Sequence, residues 1–391
     1  MQKRKLREVG TIISGATPKT TDSTNFGGDI PWITPADLSG YTEKYIAGGA
    51  RNLTEKGYNS CSTQLMPANS VVFSSRAPIG YVAIAKNPLC TNQGFKSVIP
   101  DDGLDSEFLY YQLLYLRDSI REMGTGTTFK EISGKRFGEI DIAVPSIYEQ
   151  QRIVARIEEL FSQLDDAEAT LQKAKAQLAL YRQAVLKEAF DTIDGTECCI
   201  DNVCKEIKVG IVIKPTQYYV DKDGIFAFRN ANVRRGYIDD CDWVMISKEG
   251  HIKNQKSEVN AGDVLISRSG ANLGMASPVP DKYDGYNAID VVIAVPDKGA
   301  IIPAYLAYYT NSPMGRSIVK RNERGAAQGH LNVTAYGRLP IVVPTLSEQQ
   351  MIIEGIDAKT SVCDSIEQTV DETLQQAKAM RQSILQRVFN E

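Results

Sequence analysis

Asp29-Ile30-Pro31-Trp32 is the first run in this 391-residue chain whose residue types could do chemistry. It differs at one position from Asp-Pro-Pro-Trp, the tetrapeptide with which amino-methyltransferases shape a pocket for a flipped base. Ile30 replaces the first proline, and the chain has no Asp-x-Phe-x-Gly-x-Gly cofactor loop or Asn-Pro-Pro-Phe run. Pro100-Asp101 and Pro296-Asp297 suggest a nuclease Pro-Asp pair, but Gly103 and Gly299 follow them and make both read as strand-ending turns. Gly134-Lys135 would need glycine at Phe129 and Ser or Thr at Arg136 to make a phosphate loop. The 7 cysteines include no Cys-x-x-Cys, and His251 and His330 are the only histidines, too few to complete a zinc shell. Cys198, Cys199 and Cys204 read as reduced thiols. No metal site and no catalytic set is expected on this chain.

What remains is polar recognition chemistry, carried by loops in both halves. Arginine forks onto guanine, and Asn or Gln onto adenine, whereas lysine and threonine suit phosphates. The first half offers Thr17, Lys19, Arg76, Asn92, Gln93, Lys96, Thr127 and Lys130 as candidate DNA contacts. The second half offers Arg229, Asn230, Asn232, Arg234, Arg268, Asn272, Asn287 and Arg324, with Arg316, Lys320 and Arg321 extending a basic stripe. Each of these loops can also be read as a solvated turn. Arg76 and Arg268 can equally be structural, since both follow a strand in matching context. The net charge of -4 does not argue against a polyanionic partner. Residues 345–391 carry 8 acidic and 4 basic side chains, which leaves the globular segments close to neutral.

An internal repeat must position these loops. Val144 to Phe190 reappears without a gap as Val343 to Phe389, identical at 16 of 47 positions. So long a period means duplicated domains rather than a solenoid. Ser146 with Glu149, and Thr345 with Glu348, have capping-box spacing just after Pro145 and Pro344, so a long helix starts at each. Ile153, Ile157, Leu160, Leu164, Leu171 and Leu178 form a heptad seam, filled out by Ala167, Ala174, Tyr181 and Val185. The second helix repeats the seam with Ile352, Ile356, Ile366, Val370, Met380 and Ile384, interrupted by Lys359 and Thr373. Each helix has about 40 residues, roughly 60 Å at 1.5 Å per residue. Pairing the two seams within one chain, antiparallel, is the economical way to bury both; pairing between chains of a homodimer is the alternative.

The resulting fold class is α+β, with globular segments at 1–145 and 191–344 and helices at 146–190 and 345–391. Each segment is expected to hold a twisted, mainly antiparallel sheet with short helices at Phe108 to Met123 and Pro303 to Arg321. The repeat offset drifts inside the segments, from 192 at Ser75-Arg76 and Ser267-Arg268 to 196 at Pro100 and Pro296. Loops therefore diverge on a fixed frame, the expected arrangement for two unlike readers. Val9 to Ile13 is too short for a signal peptide or a membrane span, so the chain is placed in the cytoplasm.

Pro145-x3-Glu149-Gln150-x2-Ile153 and its copy from Pro344 resemble the helix-opening motif of type I restriction-modification specificity subunits. Gly27-Gly28-Asp29-Ile30-Pro31-Trp32, Arg76-Ala77-Pro78-Ile79-Gly80 and Thr91-Asn92-Gln93-Gly94-Phe95-Lys96 are similar to that family's target-recognition sequences. The second segment departs from them, with Arg268-Ser269-Gly270-Ala271-Asn272 opposite Arg76 to Gly80 and Tyr286 to Asp290 opposite the Thr91 run.

The resemblance implies a non-catalytic subunit with two target-recognition domains that read an asymmetric bipartite site on double-stranded DNA, with the helices as spacer. It also implies two DNA adenine methyltransferase subunits and ATP-dependent restriction and translocase subunits as partners. S-adenosylmethionine, ATP and magnesium would be held by those partners, with no cofactor on this chain. A coiled-coil adaptor whose heads bind proteins is the alternative that the residues leave open.

Overall fold

A computed structural model describes residues 3–76, 78–126, 130–191, 193–323 and 330–390, without the side chains of residues 318 and 320–323. The chain divides into two compact units, Met1–Leu171 with Glu372–Glu391, and Gln172–Asp371.

In the first unit, Val71-Val72-Phe73 is apolar at every position because both faces of its strand are covered. Val71 and Phe73 join one core with the helix Ser106–Glu122, whereas Val72 points into a second core with Ile33, Leu89 and Phe95. This strand is central in a five-stranded sheet ordered Gly10–Ser14, Lys96–Pro100, Val71–Phe73, Val82–Ala85 and Tyr45–Ile46. The pairs are antiparallel except the last, and Trp32–Ile33 pairs in parallel with Cys90–Thr91, so the domain is mainly antiparallel, as expected, with two parallel pairs. A short antiparallel ribbon of Lys3–Lys5 and Asp141–Ala143 leads into the first long helix, Ile147–Asp191.

The second unit repeats this logic. Val264 and Ile266 face the core that contains Tyr305 and Tyr336, and Leu265 faces Phe228 and Val233. Its strand Val264–Ser267 lies in a four-stranded sheet between Val291–Pro296 and Ala276–Pro278, and a second sheet of five short strands packs beside it. Thr196–Cys199 and Pro340–Val343 form the ribbon that precedes the second long helix, Leu346–Asn390. The single helix expected from Pro303 is two helices, Pro303–Asn311 and Pro313–Glu323. Pro313 offers no N–H, and Ser312 before it is extended at φ −62° and ψ 158°.

Gln150 and Gln349, the middle residues of the repeated Glu-Gln-Gln, fasten each domain to the helix that follows it. Both are fully buried. Gln150 Oε1 accepts from Asp105 N at 2.8 Å, and its Nε2 donates to Gly103 O and Pro145 O, both at 2.9 Å. Gln349 makes the same three bonds, accepting from Ile302 N at 2.8 Å and donating to Ala300 O and Pro344 O at 3.0 Å. The capping boxes differ. Thr345 and Glu348 bond reciprocally, whereas at the first helix Glu149 N donates to Ser146 Oγ and the Glu149 carboxylate pairs with Arg152.

The two long helices run antiparallel within each unit and are linked as a coiled coil. In the second unit Lys175 pairs with Asp371 at 2.7 Å, Arg182 with Glu367 at 2.6 Å and Lys359 with Glu188 at 3.1 Å. The Lys359 that interrupts the expected seam therefore has a carboxylate partner. In the first unit Arg381 pairs with Asp165 and lies 5.2 Å from the Phe161 ring centre. Ile153, Ile157 and Leu164 are buried, as are Ile356 and Val370, while Leu160, Leu171, Leu178, Ile352 and Ile384 are half-buried. Ile366 and Met380 depart from the expected seam, exposed at 44% and 51%; Cys363, Val370 and Ala377 hold the buried line. Strict heptads drift around a helix of 3.6 residues per turn, which carries some nominal seam positions out to solvent.

Candidate nucleic-acid interface

In the first domain the strand register brings four candidate residues, Arg76, Asn92, Gln93 and Lys96, to one corner. Ser74 pairs with Phe95, and Ser75 N donates to Gly94 O at 2.7 Å, so Arg76 leaves the strand beside the Asn92-to-Lys96 run. Arg76 Nη1 lies 3.5 Å from Glu131 Oε2, and Lys96 Nζ lies 3.9 Å from Glu131 Oε1. Lys96 is nearly buried, and desolvation holds its pKa below the ordinary lysine value against the pull of Glu131. One carboxylate thus restrains two cations. Gln93 is exposed and bonded to Thr17 Oγ1, and Asn92 Oδ1 accepts from Gly94 N at 2.8 Å, shaping the turn. Lys19 and Lys130 are exposed. Thr127 lies outside the described residues, as does Arg324 in the second domain.

The second domain sorts its candidates differently. Asn232 is fully buried: its Nδ2 donates to Asp239 O at 3.1 Å and Cys241 O at 2.6 Å, and its Oδ1 accepts from Arg229 N at 2.8 Å. Asn287 is also fully buried, bonded to His251 Nδ1 at 3.1 Å and to Ala288 N at 3.0 Å. Neither amide is open to a base edge, so both leave the candidate interface as structural residues. Asn230 is a clamp too. Its Oδ1 accepts from Ser267 Oγ and Arg268 N, and its Nδ2 donates to Ser269 Oγ and Asp290 O. Asn272 in turn donates to Asn230 O at 3.0 Å.

These clamps set the arginines. Arg268 is paired to Asp290 at 3.1 Å, Arg229 to Asp242 at 2.9 Å and Arg234 to Asp239 at 3.1 Å. Asp290 holds a left-handed φ of 54°, a conformation that Asp tolerates better than most residues. The carboxylates Glu131 and Asp290 were absent from the sequence-derived set, although they orient its two central arginines. Polar loop composition favours donors that read bases, and no local pattern marks an acid as the partner of an arginine many residues away.

The register also moves the correspondence between the domains. Val71 and Val264 both face the core shared with a long helix, and Val72 and Leu265 both face away from it. With Val71 paired to Val98 and Val264 to Ala294, Arg268 takes the place of Ser75, not of Arg76. Ile132 N donates to Ser75 O and Leu331 N to Arg268 O, which fixes the same shift from a third segment. The offset of 192 read from Ser-Arg would put every strand side chain on the wrong face.

Among the described residues no group of three or more His, Cys, Asp or Glu is placed to hold a metal ion, and no helix is long and apolar enough to cross a membrane. Residues 1–176 and 213–376 match the family model of the type I restriction modification DNA specificity domain. The chain belongs to this family. It is 33% identical over 316 residues to the MjaIX specificity subunit of Methanocaldococcus jannaschii, covering 74% of this chain and 71% of that one. The EcoBI specificity subunit of Escherichia coli is 24% identical, over 97% of this chain and 84% of its own.

Two solved structures share the fold. A chain from a study of complex assembly and conformational transition in a type I R-M system has a TM-score of 0.72 at 18% identity, covering 99% of this chain and 97% of that one. The HsdS subunit from Thermoanaerobacter tengcongensis has a TM-score of 0.56 at 17% identity, with 99% and 96% covered. The specificity subunit thus supplies DNA recognition to a complex whose chemistry belongs to methyltransferase and restriction subunits.

Proposed function

We propose that this specificity subunit reads an asymmetric bipartite site on double-stranded DNA, one half-site per domain, in the cytoplasm. Two adenine-N6 methyltransferase subunits and ATP-dependent restriction and translocase subunits dock on it and bring S-adenosylmethionine, ATP and magnesium. One observation carries the reading. Both domains are built to one plan and fastened by the same glutamine clasp, yet their polar loops are not interchangeable: Asn232 and Asn287 are clamps in one, whereas Gln93 is exposed in the other. A common frame with unlike loops suits two different half-sites. The candidate contacts with exposed or half-exposed side chains are Thr17, Lys19, Arg76, Asn92, Gln93, Lys130, Arg229, Asn230, Arg234, Arg268 and Asn272.

Single-molecule methylation sequencing of a host with this gene present and deleted tests the reading. Loss of one bipartite adenine-methylated motif on deletion is the expected result. An unchanged methylome in cells that express the complex would refute it.

A further inference from the structure

The shifted register makes one coincidence informative. Both domains place an arginine–carboxylate pair at the same sheet corner, where the central strand, its neighbour and the segment entering the short helix before the long one converge. The pairs are not inherited position for position. Arg268 occupies the place of Ser75, and Asp290 lies across from it as Gly94 lies across from Ser75. The first domain instead takes its arginine from the next residue, Arg76, and its carboxylate from Glu131. The Glu131 position of the second domain is His330, whose Nδ1 is buried without a hydrogen-bond partner among the described residues. Duplication alone would have kept the pair on equivalent residues. The corner therefore holds the same chemistry built twice from different parts.

We infer that this corner is where each domain reads a base pair, with Glu131 and Asp290 as specificity-determining residues beside Arg76 and Arg268. The inference rests on the DNA reading above and assigns it to atoms. A guanidinium gripped by a carboxylate at one edge keeps its remaining N–H groups aimed, which suits the two acceptors of guanine in the major groove. The free lone pairs of the carboxylate accept from an exocyclic amine, as on cytosine, and repel an acceptor placed there. Both pairs are accessible, with side chains 36% and 38% exposed at Arg76 and Glu131, and 17% and 35% at Arg268 and Asp290. The corners differ in charge, since Lys96 adds a second cation to the first and a histidine stands at that corner of the second. Different base preferences follow from that difference.

The test uses the assembled methyltransferase complex with the full chain carrying Glu131→Gln or Asp290→Asn, near-isosteric changes. Asn also tolerates the left-handed backbone at 290. Methylation rates are measured on a library with every single-base change in both half-sites. E131Q is expected to lower discrimination roughly ten- to a hundredfold at one base pair of one half-site, and D290N to do so in the other half-site only. Arg76→Lys and Arg268→Lys, which keep the charge and lose the fork, should relax the same base pairs. Thermal melting and complex assembly identify any variant that fails to fold, and the lysine pair then decides. Unchanged discrimination in both half-sites, or a loss spread evenly over both, would overturn the inference. A wild-type complex that shows no bipartite preference in this library would instead remove the DNA reading beneath it.

Discussion

Replacing Asn232 with alanine would strand two backbone carbonyls and one N–H that its amide now satisfies. A buried polar group left without a partner costs about 1–3 kcal/mol, so Asn232→Ala should destabilise the protein by about 2–4 kcal/mol in urea unfolding. Gln93 is exposed and, among the described residues, bonded only to Thr17, so Gln93→Ala should move stability by less than about 0.5 kcal/mol. The contrast separates two roles that one residue type can play. Equal losses of stability for the two variants would count against this division.

Lys44 ties the edge of the first domain's sheet to two helices. It pairs with Glu107 at 2.7 Å and with Glu158 on the first long helix, and Tyr45 donates to Glu107. Burial alone would raise the Glu107 pKa, but its bonds to Lys44 and Tyr45 outweigh that and hold it below 4.5. Its contribution is therefore complete above about pH 4.5 and fades as pH falls through the lower folded value. Lys44 is desolvated too, and its two carboxylates raise its pKa above 10.5. Its contribution is complete below about pH 10.5 and is lost as pH rises through the raised value. Thermal melts should show a plateau between these limits, and Lys44→Met should lower the plateau and weaken the acid limb. An acid limb with unchanged slope in that variant would show that the network does not set it.

The glutamine clasps make a second prediction about elements. Gln150→Ala and Gln349→Ala each remove three buried bonds and should each cost about 2–4 kcal/mol. Hydrogen exchange should rise at Gly103 to Asp105 in one variant and at Ala300 to Ile302 in the other. Exchange that rises equally in both segments in either variant would mean that the clasps are not local. The long helices were legible in the sequence because caps and heptads are local patterns stated twice. The strands were legible because apolar runs bounded by turns have little else to become. Pro313 marked a helix break that the apolar pattern alone passed over. The arginine partners were not legible, because Glu131 is 55 residues from Arg76 and only the fold brings them together. Nor could asparagine as clamp be told from asparagine as reader, since both place the same amide in a polar loop.

For the whole molecule, the long helices belong to both units, with the division at Leu171/Gln172 in one and Asp371/Glu372 in the other. Removing one heptad from each helix at that division shortens both by about 10 Å at 1.5 Å per residue. The expected result is a methylated motif whose two halves are unchanged and whose unspecified spacer is shorter by about three base pairs at ~3.4 Å each. Methylome sequencing would read both quantities at once. Altered half-sites with an unchanged spacer would contradict the assignment of spacing to the helices.

Leu385, Val388 and Phe389 complete the core of the domain that is made first, where Phe389 lies against Phe108 and Tyr115. More than 200 residues separate that domain's other core residues from these three. At ribosomal rates of about 5–20 residues per second, its apolar flank waits on the order of ten seconds or more for its cover. A prematurely terminated product could make most of its first domain and still carry the exposed aromatic flank of an unfinished protein, the kind of surface that chaperones and proteases retain. A chain that stops before its second helix therefore leaves Phe108 and Tyr115 without the Phe389 ring against them.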